Sequence, residues 1–331
     1  MKYRGRVISA IPPVANTSQA SGIWFPPQHM QGTRGGTWPI SSSGGWTGTL
    51  SFVGVAGSSG PAYPGTQAEY AALASIPAGT NYSFDSGYHY FDMTPGSYSV
   101  RIKGAEGSGT QHGFGADISG TITVSQTTRM VALIGNAGSG PYGGGGGTFL
   151  AITSSNTYTS ATALLVAGGG SGGYNVIHAE VDGGDTSWTP TTRRGLSTDR
   201  VDGRGGVYDG GAAFSAVYNP EIISSTEGGQ GSTAAQHFVW GGRGGTVTNC
   251  GSGQGGFGGG GGGCPAGGGG YYGGKAGGNN PAGYGGGGGT SYRLSSGAIA
   301  SIPSWTYVGT NGTGRTATSS LVPGSLSITR V

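Results

Sequence analysis

Charge is scarce in this sequence. Only 9% of its 331 residues are Asp, Glu, Lys or Arg, and 16 basic against 13 acidic side chains leave a formal net charge of +3. The basic residues are scattered, so the phosphate-neutralising stripe of an electrostatic nucleic-acid binder is missing. No apolar run approaches the roughly 18 residues of a membrane-spanning helix, and membrane insertion is not expected. Proline is limited to 16 positions and glycine keeps no strict three-residue period, which excludes a collagen triple helix. A secretory leader is not expected either, because Pro12 and Pro13 interrupt the opening MKYRGRVISAIPPVANTSQA before an apolar segment can form. Synthesis in a cytoplasm follows, with any extracellular role reached by another route.

What is abundant is glycine, at 78 positions, together with 34% apolar and 10% aromatic residues. Glycine and proline above a quarter of a chain is a low-complexity composition. Disordered chains, however, are rich in charge and poor in aromatics. The balance describes a folded protein that needs burial or self-association, with an architecture that tolerates residues bringing no side chain to a core.

Three textures follow along the chain. Residues 1–50 are irregular, with Trp24, Trp38 and Trp46 among Pro, Gly and Ser, and read as an extended segment lying on a partner, since tryptophan is enriched at interfaces. Residues 51–170 read as strands. Tyr98–Lys103 and Ile118–Val124 alternate with period two, while Met130–Ile134 and Ala163–Ala167 are short apolar runs ending in glycine, as buried strands do. A single helix is expected over Gln67–Ser75, entered after Thr66 and stopped by Pro77. Residues 171–289 form a glycine-rich insertion, and 290–331 return to strand, ending in Ser325–Val331. The fold class expected is all-β, a β-sandwich split by that insertion.

Five glycine runs recur at Gly143–Gly147, Gly168–Gly170, Gly258–Gly263, Gly267–Gly270 and Gly285–Gly289. A lone run is a flexible linker. Several runs of similar length can instead adopt a left-handed extended helix of three residues per turn, rising about 3.1 Å per residue. Its amide and carbonyl groups point outward, so bare neighbouring rods bond laterally and satisfy one another's backbone. A rigid bundle with loops emerging at its ends is the expectation.

The segment GGFGGGGGGCPAGGGGYYGG (Gly255–Gly274), with GGGGGTFLAI (Gly143–Ile152) and ATALLVAGGGSGGY (Ala161–Tyr174), resembles the glycine-rich extracellular domain of the anaplastic lymphoma and leukocyte receptor tyrosine kinases. Thr148, Phe149, Leu164, Val166, Phe257 and Cys264 are its non-glycine anchors. The resemblance covers roughly residues 84–331 and implies a β-sandwich of tumour-necrosis-factor-like, jelly-roll topology carrying an inserted polyglycine II bundle. It also implies a trimer and a disulfide between Cys250 and Cys264. No kinase domain follows, so the signalling role does not transfer. A second segment, SGIWFPPQHMQGTRGGTWP (Ser21–Pro39), is similar to a short pattern in structural proteins of tailed bacteriophages, matched here by Ser21, Gly22, Ile23, Trp24, Gln28, Gln31, Trp38 and Pro39. Pro26 and Pro27 depart from that pattern. This likeness implies that Trp24, Gln28, Trp38 and Trp46 attach the chain to a virion, and polyglycine sandwiches also occur in phage tail-fibre tip adhesins.

Catalytic signals are weak. Gly138, Gly140 and Gly143 satisfy G-x-G-x-x-G, but matches are expected by chance in a chain nearly a quarter glycine, and Pro141 suits no phosphate-binding helix start. The histidines His29, His89, His112, His178 and His237 lack ligand spacing. Glu180, Asp182 and Asp185, with Asp199, Asp202 and Asp209, read as solvated turn residues before they read as a calcium loop. No nucleophile elbow is present. Neither enzyme activity nor a cofactor or metal is expected.

Recognition is the better expectation. Tyr174, His178, Trp188, Arg193, Arg194, Arg200, Tyr208, Tyr218, His237 and Trp240 crowd one insertion, and Tyr271 and Tyr272 sit between glycine runs. Aromatic rings stack on sugars or apolar patches, and guanidinium forks grip carboxylates or phosphates. Some of these rings are expected to pack on the glycine segments. The expected function is that of a phage virion protein, a tail-fibre or tail-tip adhesin binding a host-surface glycan or protein. The alternatives are a purely structural virion component or a cellular extracellular binding module.

Overall fold

The computed structural model describes residues 46–54, 74–109, 112–173, 211–214, 235–246, 253–263, 266–274, 288–294, 305–307 and 322–331. The chain divides into two compact units, Met1–Trp46 and Thr47–Val331. In the first, only Trp46 is described, and it is buried at 2% exposure.

The second unit is all-β, with two antiparallel six-stranded sheets. Its strands are β1 (Thr49–Val53), β2 (Ala74–Ser75), β3 (Tyr82–Asp85), β4 (Tyr88–Met93), β5 (Gly96–Lys103), β6 (Asp117–Val124), β7 (Thr128–Leu133), β8 (Thr148–Ile152), β9 (Thr162–Ala167), β10 (Tyr292–Arg293), β11 (Trp305–Tyr307) and β12 (Ser325–Arg330). One sheet runs β11-β6-β5-β12-β1-β2 and the other β10-β9-β8-β7-β4-β3. Of the helix expected over Gln67–Ser75, residues 67–73 lie outside the described residues; Ala74 and Ser75 are strand β2, paired with Phe52 and Ser51 of β1.

The two sheets bury their faces differently, and the sequence texture follows from that. In the first sheet, β5 buries Tyr98, Val100 and Ile102 and exposes Ser99 and Arg101, which is the alternation of a strand with one wet face. Ser75, Ser51, Ser327, Arg101 and Ser119 stand in one cross-strand row on that outer face. In the second sheet, β4, β7, β8 and β9 are buried on both faces, hence their continuous apolar runs. Its inner face meets the first sheet, where Phe52 of β1 lies with ring centroids 4.3 Å from His89 and 6.0 Å from Phe91 of β4. His89 is fully enclosed there, and burial depresses its pKa to about 3, so the imidazole is neutral.

The outer face of the second sheet carries Tyr88, Tyr90, Val131, Leu133, Phe149, Ala151 and Val166. It is covered by Phe214, Phe238, Phe257 and Tyr271 from the glycine-rich segments. Those aromatics form a second core, in which Phe238 stacks on Phe214 at 4.7 Å and Tyr271 on Tyr292 at 3.9 Å. An aromatic ring buries far more area than the glycines around it lack, and this layer supplies the hydrophobic drive the glycine segments cannot.

The glycine-rich backbone is not confined to residues 171–289. Segments 104–109, 112–116, 135–147, 168–173 and 322–324 all leave or enter strands at one end of the two sheets, and they bond to one another and to 253–274. The bonding repeats every third residue. Gly104 and Gly107 donate to Ala116 and Gly113, whereas Ala105 and Ser108 donate to Gly146 and Gly143. Gly169 and Gly172 donate to Gly269 and Ala266, whereas Gly170 and Gly173 donate to Ala105 and Ser108. Gly144 and Gly147 reach Gly261 and Gly258, and Ala266 and Gly269 reach Tyr142 and Gly145. Consecutive residues therefore address different neighbours, and residues three apart address the same one.

Such close approach leaves no room for a β-carbon. One placed on Gly107, Gly145, Gly169 or Gly269 would come within 3.0 Å of backbone carbonyl groups on adjoining segments. Each position is glycine for lateral packing, since no side-chain movement can relieve a backbone contact.

Candidate functional site

Among the described residues, the aromatic side chain most open to solvent is Trp240, at 48% exposure. It ends a one-turn 3-10 helix, Phe238–Trp240, inside the loop Ala235–Thr246. Apolar Phe238 points into the second core at 1% exposure. Gly241 stops the turn at φ +117°, a left-handed conformation that other residues adopt only under strain. The loop closes on itself: Trp240 and Gly242 donate to the His237 carbonyl at 3.0 and 2.9 Å, and Gln236 donates to the Arg243 carbonyl at 2.8 Å.

Its base is bolted to the rest of the unit. The Tyr88 hydroxyl donates to the Phe238 carbonyl. Phe238 and Val239 donate to Ala213 and Phe214, and Gly258 donates to Gly242 at 2.7 Å. Tyr158 stacks on Tyr88 at 4.1 Å, and Tyr88 meets Phe238 edge-on at 5.1 Å. The turn thus stands on a column of rings that runs down to the second sheet.

His237 is fully buried, in place of the contact role expected from sequence. Its Nδ1 lies 3.0 Å from the Ala213 amide nitrogen and 3.2 Å from the Ala213 carbonyl oxygen. The other ring nitrogen, Nε2, is buried with no hydrogen-bond partner among the described residues. Burial lowers the pKa to about 4, only partly opposed by the Ala213 backbone bond, and the ring is neutral near pH 7. It meets Trp240 edge-to-face, with centroids 4.8 Å apart and planes at 72°. The imidazole is therefore a fixed post beside the exposed indole.

Tyr271 is likewise interior at 6% exposure, stacked between the glycine segments and Tyr292. Its neighbour Tyr272 is half-buried and meets it edge-on at 5.1 Å. Of the expected recognition set, Trp240 and Tyr272 keep surface, while His237 and Tyr271 build the support. Tyr174, His178, Trp188, Arg193, Arg194, Arg200, Tyr208 and Tyr218 lie outside the described residues, as do Trp24, Gln28, Trp38, Cys250 and Cys264.

Sequence reasoning missed two members of the loop. Arg243 is exposed, and among the described residues no carboxylate pairs with it. Gln236 is half-buried, with its side-chain oxygen against Gly241: a β-carbon placed there would lie 3.1 Å from it. The signal was the run Gln236-His237-Phe238-Val239-Trp240-Gly241-Gly242-Arg243, polar at its ends and aromatic between.

A second polar site lies inside the glycine network. His112 Nδ1 faces the Gly109 carbonyl at 3.0 Å and Nε2 faces Glu106 Oε2 at 3.3 Å. A carbonyl only accepts, so Nδ1 carries a proton, and a carboxylate at Nε2 favours a second. Burial alone would lower the His112 pKa, but the Glu106 hydrogen bond, the Gly109 carbonyl and the Glu106 charge together raise it. The same Glu106 oxygen accepts the Val322 amide at 3.2 Å, and the Glu106 amide donates to the Val322 carbonyl at 3.0 Å. This pair ties the approach to β12 into the network.

Neither site aligns a nucleophile with a base. The exposed loop combines an apolar platform, an amide and a cation, which is equipment for recognition. The chain matches no protein-family model and no curated protein.

Proposed function

We propose that this chain is a display protein of a tailed-phage virion, a fibre or tail-tip adhesin that holds recognition loops on a rigid glycine lattice. In this reading the glycine segments are polyglycine II helices, and the sheets have jelly-roll, tumour-necrosis-factor-like topology. Residues 1–50 attach the chain to the particle, and three copies associate. The observation that carries it is the three-residue bonding register, in which Gly169 and Gly172 serve one neighbour and Gly170 and Gly173 another. A helix of three residues per turn has that register by construction. Rigid support matters for a binder, because ordering a loop in advance removes an entropy cost from association. Trp240, half exposed on a loop bonded at both sides, is what such a scaffold would present.

The test uses the particle. Virions whose copy of this chain has residues 174–210 replaced by a Gly-Ser linker, which spares the core rings Phe214 and Phe238, are expected to assemble normally and lose adsorption to their host. Undiminished adsorption would refute the adhesin and leave a structural virion component. Light scattering of the intact chain at micromolar concentration is expected to give a trimer, and a monomer would remove that part of the proposal.

A further inference from the structure

Within that recognition reading, on which this inference rests, we propose that the loop Gln236–Arg243 takes an anionic saccharide. The sugar's C–H face would lie on the Trp240 indole, its hydroxyls at the Gln236 amide and its acidic group at Arg243. Three observations lead there. Trp240 offers half its surface yet is held edge-on to buried His237 and terminates a turn closed by the bonds from Trp240 and Gly242 to the His237 carbonyl. The indole is thus pre-set, and a flat, weakly hydrated face of this kind suits the apolar side of a pyranose ring.

Gln236 and Arg243 are joined across the base of the same loop by the 2.8 Å bond between their backbones. Both residues therefore belong to the loop that carries the Trp240 platform. An amide both donates and accepts, which matches a rim of hydroxyls. Arg243 has no carboxylate partner among the described residues, unlike Arg101, which grips Asp117 at 2.6 Å, or Arg129, which holds Asp92 at 3.0 Å. An unpaired, exposed guanidinium is a fork awaiting an oxyanion. A purely apolar protein partner would leave that cation beside the interface without a counter-charge, which disfavours it.

The acidic group can be a uronate carboxylate or a sugar phosphate, and the assay separates them. Purified full-length chain is titrated with neutral maltohexaose, an oligogalacturonate and a phosphorylated lipopolysaccharide core oligosaccharide. Binding is read by calorimetry and by the shift of the Trp240 indole N–H resonance. One or both anionic probes are expected to bind with Kd of roughly 0.1–1 mM and to outbind the neutral one about tenfold. Trp240→Ala should weaken binding at least tenfold and Trp240→Tyr should restore most of it, with unchanged unfolding midpoints. Arg243→Gln should erase the preference for charge and leave neutral binding as it was. No binding of any probe at about 10 mM, or an unmoved indole resonance in the native chain, overturns the proposal. If Trp240→Ala does not fold, the resonance in the native chain decides alone. Host adsorption that depends on residues 174–210 without saccharide binding would defeat this inference and leave the adhesin standing.

Discussion

Replacing Gly145 by alanine distinguishes a packed lattice from a slack tether by the sign of its effect. In an unconstrained glycine linker, alanine reduces the freedom of the unfolded chain and stabilises by about 0.4–1 kcal/mol, or does nothing. At Gly145 the added carbon would come within 3.0 Å of the Ala105 and Glu106 carbonyl groups, all backbone atoms. Overpacking of that kind costs typically about 1–3 kcal/mol. The segment can relieve it only by moving away, which weakens two bonds, Gly145 to Gly170 at 2.7 Å and Gly269 to Gly145 at 2.9 Å. Each contributes about 1 kcal/mol net. The expected loss is therefore about 3–5 kcal/mol, read as a fall in the urea midpoint at constant slope. Gly48→Ala is the control. Nothing lies within 4 Å of its added carbon, but φ is +102°, so only a conformational cost of about 1–2 kcal/mol should appear. A Gly145→Ala protein as stable as the parent would refute the lateral-packing argument.

Other outcomes follow from the same geometry. Because the folded His112 pKa is raised, its contribution to stability is complete below the unfolded value of about 6.5 and is lost as pH rises through the folded value. His112→Phe should flatten that alkaline decline in pH-dependent urea unfolding. His237 behaves oppositely: its folded pKa is lowered to about 4, so the unfolded chain binds the extra proton and stability falls from about pH 6.5 down to about 4. His237→Asn should shrink that acid-side slope. Phe238→Ala, which removes a ring stacked on Phe214 and edge-on to Tyr88, should cost about 3–5 kcal/mol in the same assay. Arg101→Gln should cost less than about 1 kcal/mol, and that cost should shrink further at high salt, since the guanidinium is 57% exposed.

The strands that sequence periodicity identified are those whose burial is simple. Tyr98–Lys103 alternates because one face is wet, and Met130–Leu133 runs apolar because both faces are covered. The hairpin of β3 and β4 escaped notice because Tyr82–Met93 mixes aromatics with Asp85, His89 and Asp92, whose burial depends on partners distant in sequence. Glycine runs announced themselves, but their extent did not. Segments such as Gly104–Gly109, interrupted by Ala105, Glu106 and Ser108, look like ordinary loops until the third-residue bonding is seen. The site was legible in part. Trp240 stood out by residue type, whereas the inward turn of His237 and Tyr271 is fixed by the ring column beneath them, which no local pattern encodes.

Amide hydrogen exchange across the glycine segments tests the central claim most directly. The amides of Gly144, Gly145, Gly169, Gly170 and Gly269, each bonded to a neighbouring segment at 2.7–2.9 Å, should exchange as slowly as those of strand β7 and only through global opening. Exchange at the rate of a free glycine peptide would contradict the account.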